Sequence, residues 1–519
     1  MFLTGLLQSS AAALLLSLSQ ANGDCVPDFS RVGYHWGDDP LPKVKVVKKL
    51  SPPSDGADAT PLIQEAVDAM TGPGAILLRA GTWNLSEPVR IGKSGVVLRG
   101  EGEGKTILYG SSHTQYDLVI FGKFAPRTLD KEARARVLGD YVPVGRMFVE
   151  VDHPEHFQAG DCVYLFRPGT RAWLHAIRAD RMQQHHADVG IVVRQWQPAE
   201  FNLYWERKVM KVEGNRVWLD NPVVLALEKR FGGGQLIKGS RARIAECGLE
   251  NLTLDCVYNP GPKDPQGRCI DENHAWSAVS FYAVEHGWIC NVTARHFGYG
   301  LVHLHEGAKN ITVKDCSNLD PISRVRGQRR YGYCLNRCEL CLVEGCRSEH
   351  DRHGPVTQAR TCGPNVFLDF TMTGALSDAG PHYKLAQGTL YDCVHTDGEL
   401  NVQDRDGGGY GHGWAGVNIW LWNCEARSIA CQDQWDVAHN YAVGCIADKG
   451  PGFFGQGAHE YWMKRQGYYP GRVKDFEERP DGVWVSQGRH VEPTSLYRYQ
   501  LEQRRKAGIR IADKRRNRK

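Results

Sequence analysis

Seven short runs recur between Gly248 and Asp448: "NLTLDC", "ITVKDC", "CLVEGC", "NVFLDF", "TLYDC", "WLWNC" and "YAVGC". Each is β-rich and passes through a small or polar residue to a cysteine or phenylalanine. The end points are Cys256, Cys316, Cys346, Phe370, Cys393, Cys424 and Cys445, spaced 60, 30, 24, 23, 31 and 21 residues apart. The widest gap holds one more such run, "NVTARHF". Repeats of this length, with no helical pattern between them, predict a β-helix rather than a leucine-rich repeat. Coils stacked about 4.8 Å apart place equivalent residues in ladders, so the cysteines are expected as an inward apolar ladder. Neighbouring ladder side chains are parallel, which suits disulfide geometry poorly. For Cys334, Cys338, Cys341 and Cys346, irregular spacing favours core packing or disulfides over zinc.

The stretch 55–110 reads as a turn, an amphipathic helix (Leu62, Ile63, Ala66, Val67, Met70) and several glycine-punctuated strands. Asp55, Gly56, Asp58, Thr60, Ile63, Gln64 and Ala66, then Gly81, Thr82 and Trp83, then Leu98, Arg99 and Gly100 carry a resemblance. They resemble the N-terminal cap and first coils of the pectate-lyase-like superfamily. That resemblance covers roughly half of the chain and implies an all-β, right-handed parallel β-helix. It names no single reaction, because the superfamily hosts lyases, hydrolases, isomerising transferases and adhesins. "GPHYKLAQGTLYD" with "GHGWAGVNIWLWNC" looks most like secreted members of unassigned chemistry.

The predicted organisation has five parts. Residues 1–23 form a signal peptide; 24–120 the N-terminal arm, helical cap and first coils; 121–245 an inserted small β module. The main coils and groove span 246–454, and 455–519 form an irregular, helical C-terminal cap with a basic tail. The apolar run "AAALLLSL" followed by small residues reads as a secretory signal. Four sequons (Asn84, Asn251, Asn291, Asn310) and 16 cysteines after the cut fit an oxidising, extracellular setting with glycosylation and some disulfides. Residues 501–519 hold nine Lys/Arg and two Asp/Glu, so the formal charge of +4 leaves 4 − 7 = −3 for the rest. A body so near neutrality gives no reason to expect nucleic acid as a partner, and no stretch is long enough to span a bilayer.

Counting 11 or 12 residues back from each ladder position aligns His305, Leu335, Gln358 beside Arg360, His382, His412, and Asp433 or Gln434. His382 and His412 are therefore expected one above the other on a groove. Around them "HDRHGP", "GPHYK" and the glycine-rich "DRDGGGYGHGWAG" (404–416) supply Arg352, His353, Lys384, Arg405, Tyr410 and Trp414. Abstraction of a proton next to a uronic carboxyl needs a base and a cation that neutralises the carboxylate. These residues predict a polysaccharide lyase acting by β-elimination. His382 or Lys384 would be the base, Arg405 or Arg352 the neutralising cation, and Tyr410 or His412 the proton donor. Trp414 and Tyr410 would form a sugar platform, with Arg352, His353, Arg360 and Asp433 binding substrate and the glycines allowing close approach.

Other readings stay open on the sequence. Asp404 and Asp406, with Asp397 and Glu399, suggest calcium, the one cofactor considered; His303 and His305 suggest a zinc pair. A glycoside hydrolase would use two of Asp397, Asp404, Asp406 and Asp433. "GHG" at 411–413 resembles a polygalacturonase motif, but no Asp-Asp pair precedes it and no Arg-Ile-Lys follows. A non-catalytic polysaccharide-binding β-helix is the third class. A basic groove without an acid pair favours the lyase; a close acid pair favours the hydrolase; a groove covered by the 121–245 module favours neither.

Overall fold

The computed structural model describes residues 13–20, 22–183, 190, 192–452, 460 and 478–512. Most of the expected signal peptide, the segment 453–477 apart from Glu460, and the basic tail from 513 lie outside the described residues.

Each recurring run is one side of a three-sided coil. Thr312–Lys314, Ser317–Leu319 and Tyr333–Asn336 make one such coil. Each strand pairs in parallel with its counterpart one turn on: Val313 with Val343, Ser317 with Arg347, Cys334 with Val356. This pairing continues along the molecule from Val46–Leu50 to Val483–Val485. Parallel crossovers in one sheet are right-handed in nearly all proteins, and the chain is a right-handed parallel β-helix.

The small or polar residue before each ladder position now has a physical reason. Asn251, Asn291, Asp315, Asp369, Cys393 and Asn423 all adopt positive φ, between 49° and 55°, and Gly345 and Gly444 do so at 62° and 67°. The corner between two sides needs this left-handed residue, which Asn, Asp and Gly reach at low cost. The buried ladder beyond the corner runs Leu252, Val292, Cys316, Cys346, Phe370, Val394, Cys424, Cys445. Two expected members are thus corrected. Cys393 occupies the corner itself, and Cys256 lies on the following side, opposite Gly110. All sixteen cysteines are free thiols, so the expected disulfides are not formed. Asn310 is fully buried and donates to the carbonyl of Gly33 (3.0 Å), which leaves no room for a glycan there.

One side of the coil is apolar on both faces. Val313, Val343, Phe367, Tyr391 and Leu421 point inward. Leu342, Val366, Leu390, Trp420 and Tyr441 point outward beneath Phe29, Val32 and the C-terminal helix Leu496–Lys506, with Leu18 packed among them. Double coverage explains why these runs read as continuous apolar stretches instead of alternating ones. The N-terminal end is closed by helix Thr60–Asp68, whose Ile63, Ala66 and Val67 enter the core while Leu62 stays exposed.

Between Val119–Gly122 and Gly248–Cys256 the chain leaves the solenoid. There Arg127–Arg136, Phe148–Glu150, Cys162–Arg167, Leu203–Glu213, Arg216–Leu219 and Gln235–Arg241 form a six-stranded antiparallel sheet. Its core, rich in tryptophan, is shared with Leu385, Trp414 and Val417 of the coils. A buried charge cluster fastens it: Glu206 accepts from Arg243 (2.8 Å) and Lys309 (3.0 Å).

Candidate active site

A third side of the solenoid is a seven-stranded sheet ending at Pro355–Gln358 and Gly380–Tyr383. At the outgoing end of successive strands its register lines up Tyr282, His305, Asn336, Gln358 and Tyr383. These residues form one wall of a cleft of about 920 Å³. His303, Tyr299, Tyr331, Arg352, His382, Lys384, Tyr410 and His412 also face it, with Trp276 at its edge.

The phase argument finds its neighbours here. The rings of His382 and His412 lie 5.1 Å apart, and those of His382 and His353 lie 4.1 Å apart. His412 reaches the cleft from the glycine-rich loop and not from a strand. The counted column is one residue out at two coils: Asn336, not Leu335, and Tyr383, not His382, hold its register positions. Asp433 and Gln434 do not reach the cleft.

At its centre three side chains form a polar chain. Arg352 Nη1 lies 3.1 Å from the Tyr331 hydroxyl, and that hydroxyl lies 3.2 Å from His382 Nε2. A guanidinium can only donate, so the phenol oxygen accepts from Arg352, and the tautomer of His382 sets the direction of the second bond. His382 Nδ1 is buried and has no partner among the described residues. Behind it, His353 Nδ1 donates to the Asp378 carbonyl (2.6 Å), leaving a buried Nε2 with no partner among them. Asp378 is also ion-paired with Arg405.

Burial sets the protonation of this cluster. It holds His382 and His353 well below the usual histidine range, and neighbouring positive groups push them further down. Burial likewise takes His303 well down and His305 down to about 3. All four are neutral acceptors at neutral pH. Burial lowers Lys384 as well, and it raises the Tyr331 phenol while Arg352 opposes the rise.

Several expected roles are corrected. Trp414 is no sugar platform: it is 1% exposed and its indole donates to the Ile177 carbonyl (2.8 Å) inside the module's core. The glycines of the loop likewise let it approach the module instead of a ligand. A side chain at Gly411 (φ 95°) would meet the Arg194 carbonyl at 2.4 Å, and one at Gly413 would meet Trp196. Arg405 is buried and committed to Asp378. Arg360 lines a different pocket. Asp404 and Asp406 do not fit calcium, because Arg479 already supplies the cation, at 2.7 Å from Asp404 and 4.0 Å from Asp406. His303 and His305 stack face to face with centroids 3.6 Å apart, so their nitrogens do not converge on a zinc ion.

The carboxyls proposed for hydrolysis are also occupied elsewhere. Asp433 binds His439 (2.6 Å) and Asp397 accepts from the backbone of Gly374 and Ala375; Glu399, named with the calcium acids, pairs with Arg427. Among the described residues Asp117 is the one carboxylate on the cleft wall. Among the described residues the 121–245 module contributes none to that wall. The sequence reading missed Tyr331 and Asp378. The signal for Tyr331 was "YGY" just before Cys334; Asp378 stands alone before "GPHYK".

No family model matches the chain, and no curated protein matches it. Solved structures similar to it include PfbA, a surface adhesin of Streptococcus pneumoniae, at 10% identity and a TM-score of 0.43, covering 78% of this chain and 79% of that one. The tailspike protein gp49 of Pseudomonas phage LKA1 is 12% identical with a TM-score of 0.34, covering 75% of this chain and 69% of that one. The A-module of the Azotobacter vinelandii mannuronan C-5 epimerase AlgE6 is 11% identical with a TM-score of 0.33, covering 76% and 84%. The fold assignment rests on the strand register described above.

Proposed function

We propose that the protein is an extracellular carbohydrate-active enzyme that cleaves a uronate-containing polysaccharide by β-elimination. The observation that carries this reading is the Arg352–Tyr331–His382 chain in a cleft with one carboxylate and several cations on its wall. Removing the proton next to a carboxylate creates a second negative charge on the sugar. Such a step needs fixed positive charge beside the carboxylate and a neutral acceptor for the proton.

Arg352 and Lys384 supply the charge. The proton leaving C5 passes to the Tyr331 oxygen as that oxygen's own proton moves to His382 Nε2. The C5 electron pair forms the C4–C5 double bond while the C4–O bond breaks, and His412 delivers a proton to the departing oxygen. Trp276 and the largely exposed Tyr410 offer flat faces to the flanking sugars.

The test is a screen of the purified protein on uronate and neutral polysaccharides, reading ultraviolet absorbance of unsaturated uronate and reducing ends together. Both signals rising on a uronate polymer is the expected result. Reducing ends without absorbance, or silence on every uronate polymer, overturns the reading.

A further inference from the structure

A second pocket of about 380 Å³ lies on the other side of the ridge that forms the cleft wall. The chain alternates between the two from coil to coil. His305, Asn336 and Gln358 face the cleft, whereas Glu306, Arg337 and Arg360 face the second pocket. The two adjoin at the next coil, where the Arg360 backbone N–H donates to the carbonyl of Lys384 (2.7 Å), a residue of the cleft. The outer wall of the pocket comes from the inserted module, through Arg127 and Tyr164.

Four arginines line it, Arg127, Arg241, Arg337 and Arg360, against three acids, Glu200, Glu306 and Glu339, an excess of one positive charge. Arg127, Arg241 and Arg337 converge on the one carboxylate of Glu306, at 3.6, 3.2 and 3.4 Å. The Arg241 side chain is 5% exposed and its Nε has no partner among the described residues. Arg360 lies across the Phe201 ring, 5.5 Å from its centroid. Glu339, on the pocket floor, is turned to the buried Arg207 at 3.4 Å. Three guanidiniums around one carboxylate, with a fourth beside them, form a forked donor array suited to a planar or tetrahedral oxyanion.

We propose that this pocket is an anion subsite that takes the carboxylate or sulfate of a sugar unit flanking the one in the cleft. The proposal rests on the uronate reading of the cleft and extends it: the substrate carries an acidic group on more than one unit. It also gives the inserted module a part in binding, since that module supplies more than half of the residues lining the subsite.

Calorimetric titration separates the two readings because it needs no turnover. The wild type, the double variant Arg337→Gln/Arg360→Gln and the cleft variant Tyr331→Phe are each titrated with tetragalacturonate, the neutral cellotetraose and sodium sulfate. Far-UV circular dichroism and thermal unfolding verify that each variant is folded. In the double variant, tetragalacturonate binding is expected to weaken at least about tenfold, as loss of charge-assisted hydrogen bonds requires. Tyr331→Phe should bind within about threefold of the wild type, since it lacks only one hydroxyl contact. Sulfate binding that is lost in the double variant alone identifies a sulfated unit as the occupant; sulfate silence with the uronate loss identifies a carboxylate. Equal affinity of wild type and double variant for tetragalacturonate overturns the subsite and leaves the cleft reading standing. Failure of the wild type to bind either acidic probe overturns it too, while the activity screen judges the cleft on its own.

Discussion

The Tyr331 hydroxyl stands 3.2 Å from His382 Nε2, although 51 residues separate them in the chain. Arg352, contributed by the intervening coil, donates to the same phenol oxygen. In the proposed elimination the three residues act as one acid–base unit. Tyr331→Phe removes the proton carrier and leaves the ring packing intact. Its kcat on a responsive uronate polymer should fall by about 10²–10⁴, the usual worth of a positioned acid–base group. An unchanged kcat would remove Tyr331 from the mechanism.

The pH dependence of stability follows from the buried histidines. His303, His305, His353 and His382 have folded pKa values below that of an exposed histidine, so the unfolded chain binds their protons first. Their contribution is fully present above about pH 6.5 and is lost as pH falls towards the depressed folded values. His35 and His439 shift upward and act in the opposite sense, losing their contribution as pH rises. His274 is lowered too and His490 raised, so with five histidines against three the histidine contribution to stability, read from the urea midpoint, should decline as pH drops from 7 to 5. Each histidine protonated only when unfolded steepens the decline by about 1.4 kcal/mol per pH unit. His303→Asn/His305→Asn should flatten this profile, and an equal slope in that variant would refute the assignment.

Arg479 takes the place expected for calcium. Replacing it with methionine leaves Asp404 and Asp406 buried beside each other without that cation. The cost should be about 3–5 kcal/mol, typical for breaking a buried pair, read from urea denaturation. A chelator added to the wild type should leave the denaturation midpoint unmoved.

The thiols give a simple count. In denaturant a thiol reagent should titrate sixteen cysteines, and reductant should not lower the melting temperature of the native protein. A count near zero would mean that the protein in solution forms bridges absent from this structure.

Phe370 tests the ladder. It is fully buried between Cys346 and Val394, in edge contact with Phe367 and Tyr333. Phe370→Ala should cost about 3–5 kcal/mol, whereas Cys393→Ala, at the corner, should cost less than 1 kcal/mol, about the scale of a site outside the core. Equal costs would restore the ladder as the sequence spacing drew it.

The coil repeat was legible because one chemical demand recurs: a short strand, a left-handed corner, a small buried residue. What spacing alone misses is which of two adjacent residues turns the corner, and so Cys393 and Val394 exchanged places. The cleft was half legible. His382, His412 and Arg352 carry their chemistry in their names, and their phase brought them to one wall. Tyr331 did not, because one more tyrosine among 20 gains meaning only when a guanidinium and an imidazole are known to flank it. Trp414 misled for the converse reason. A tryptophan among glycines looks like a ligand platform until the module that covers it is in place, and nothing in residues 404–416 announces the contact with Ile177.

The same insertion sets the order in which the molecule can be assembled. Val96–Arg99 finds its next rung in Gly248–Cys256, and Arg99 and Glu250, partners across that rung, are 151 residues apart in the chain. At about 5–20 residues per second, translation leaves the first coils with a bare, hydrogen-bonding rim for roughly 8–30 s. During that interval a second nascent chain presents the same rim, and like strands join readily. Expression should therefore reward fewer chains made at once, as in weak induction, more than slower elongation, which lengthens the interval.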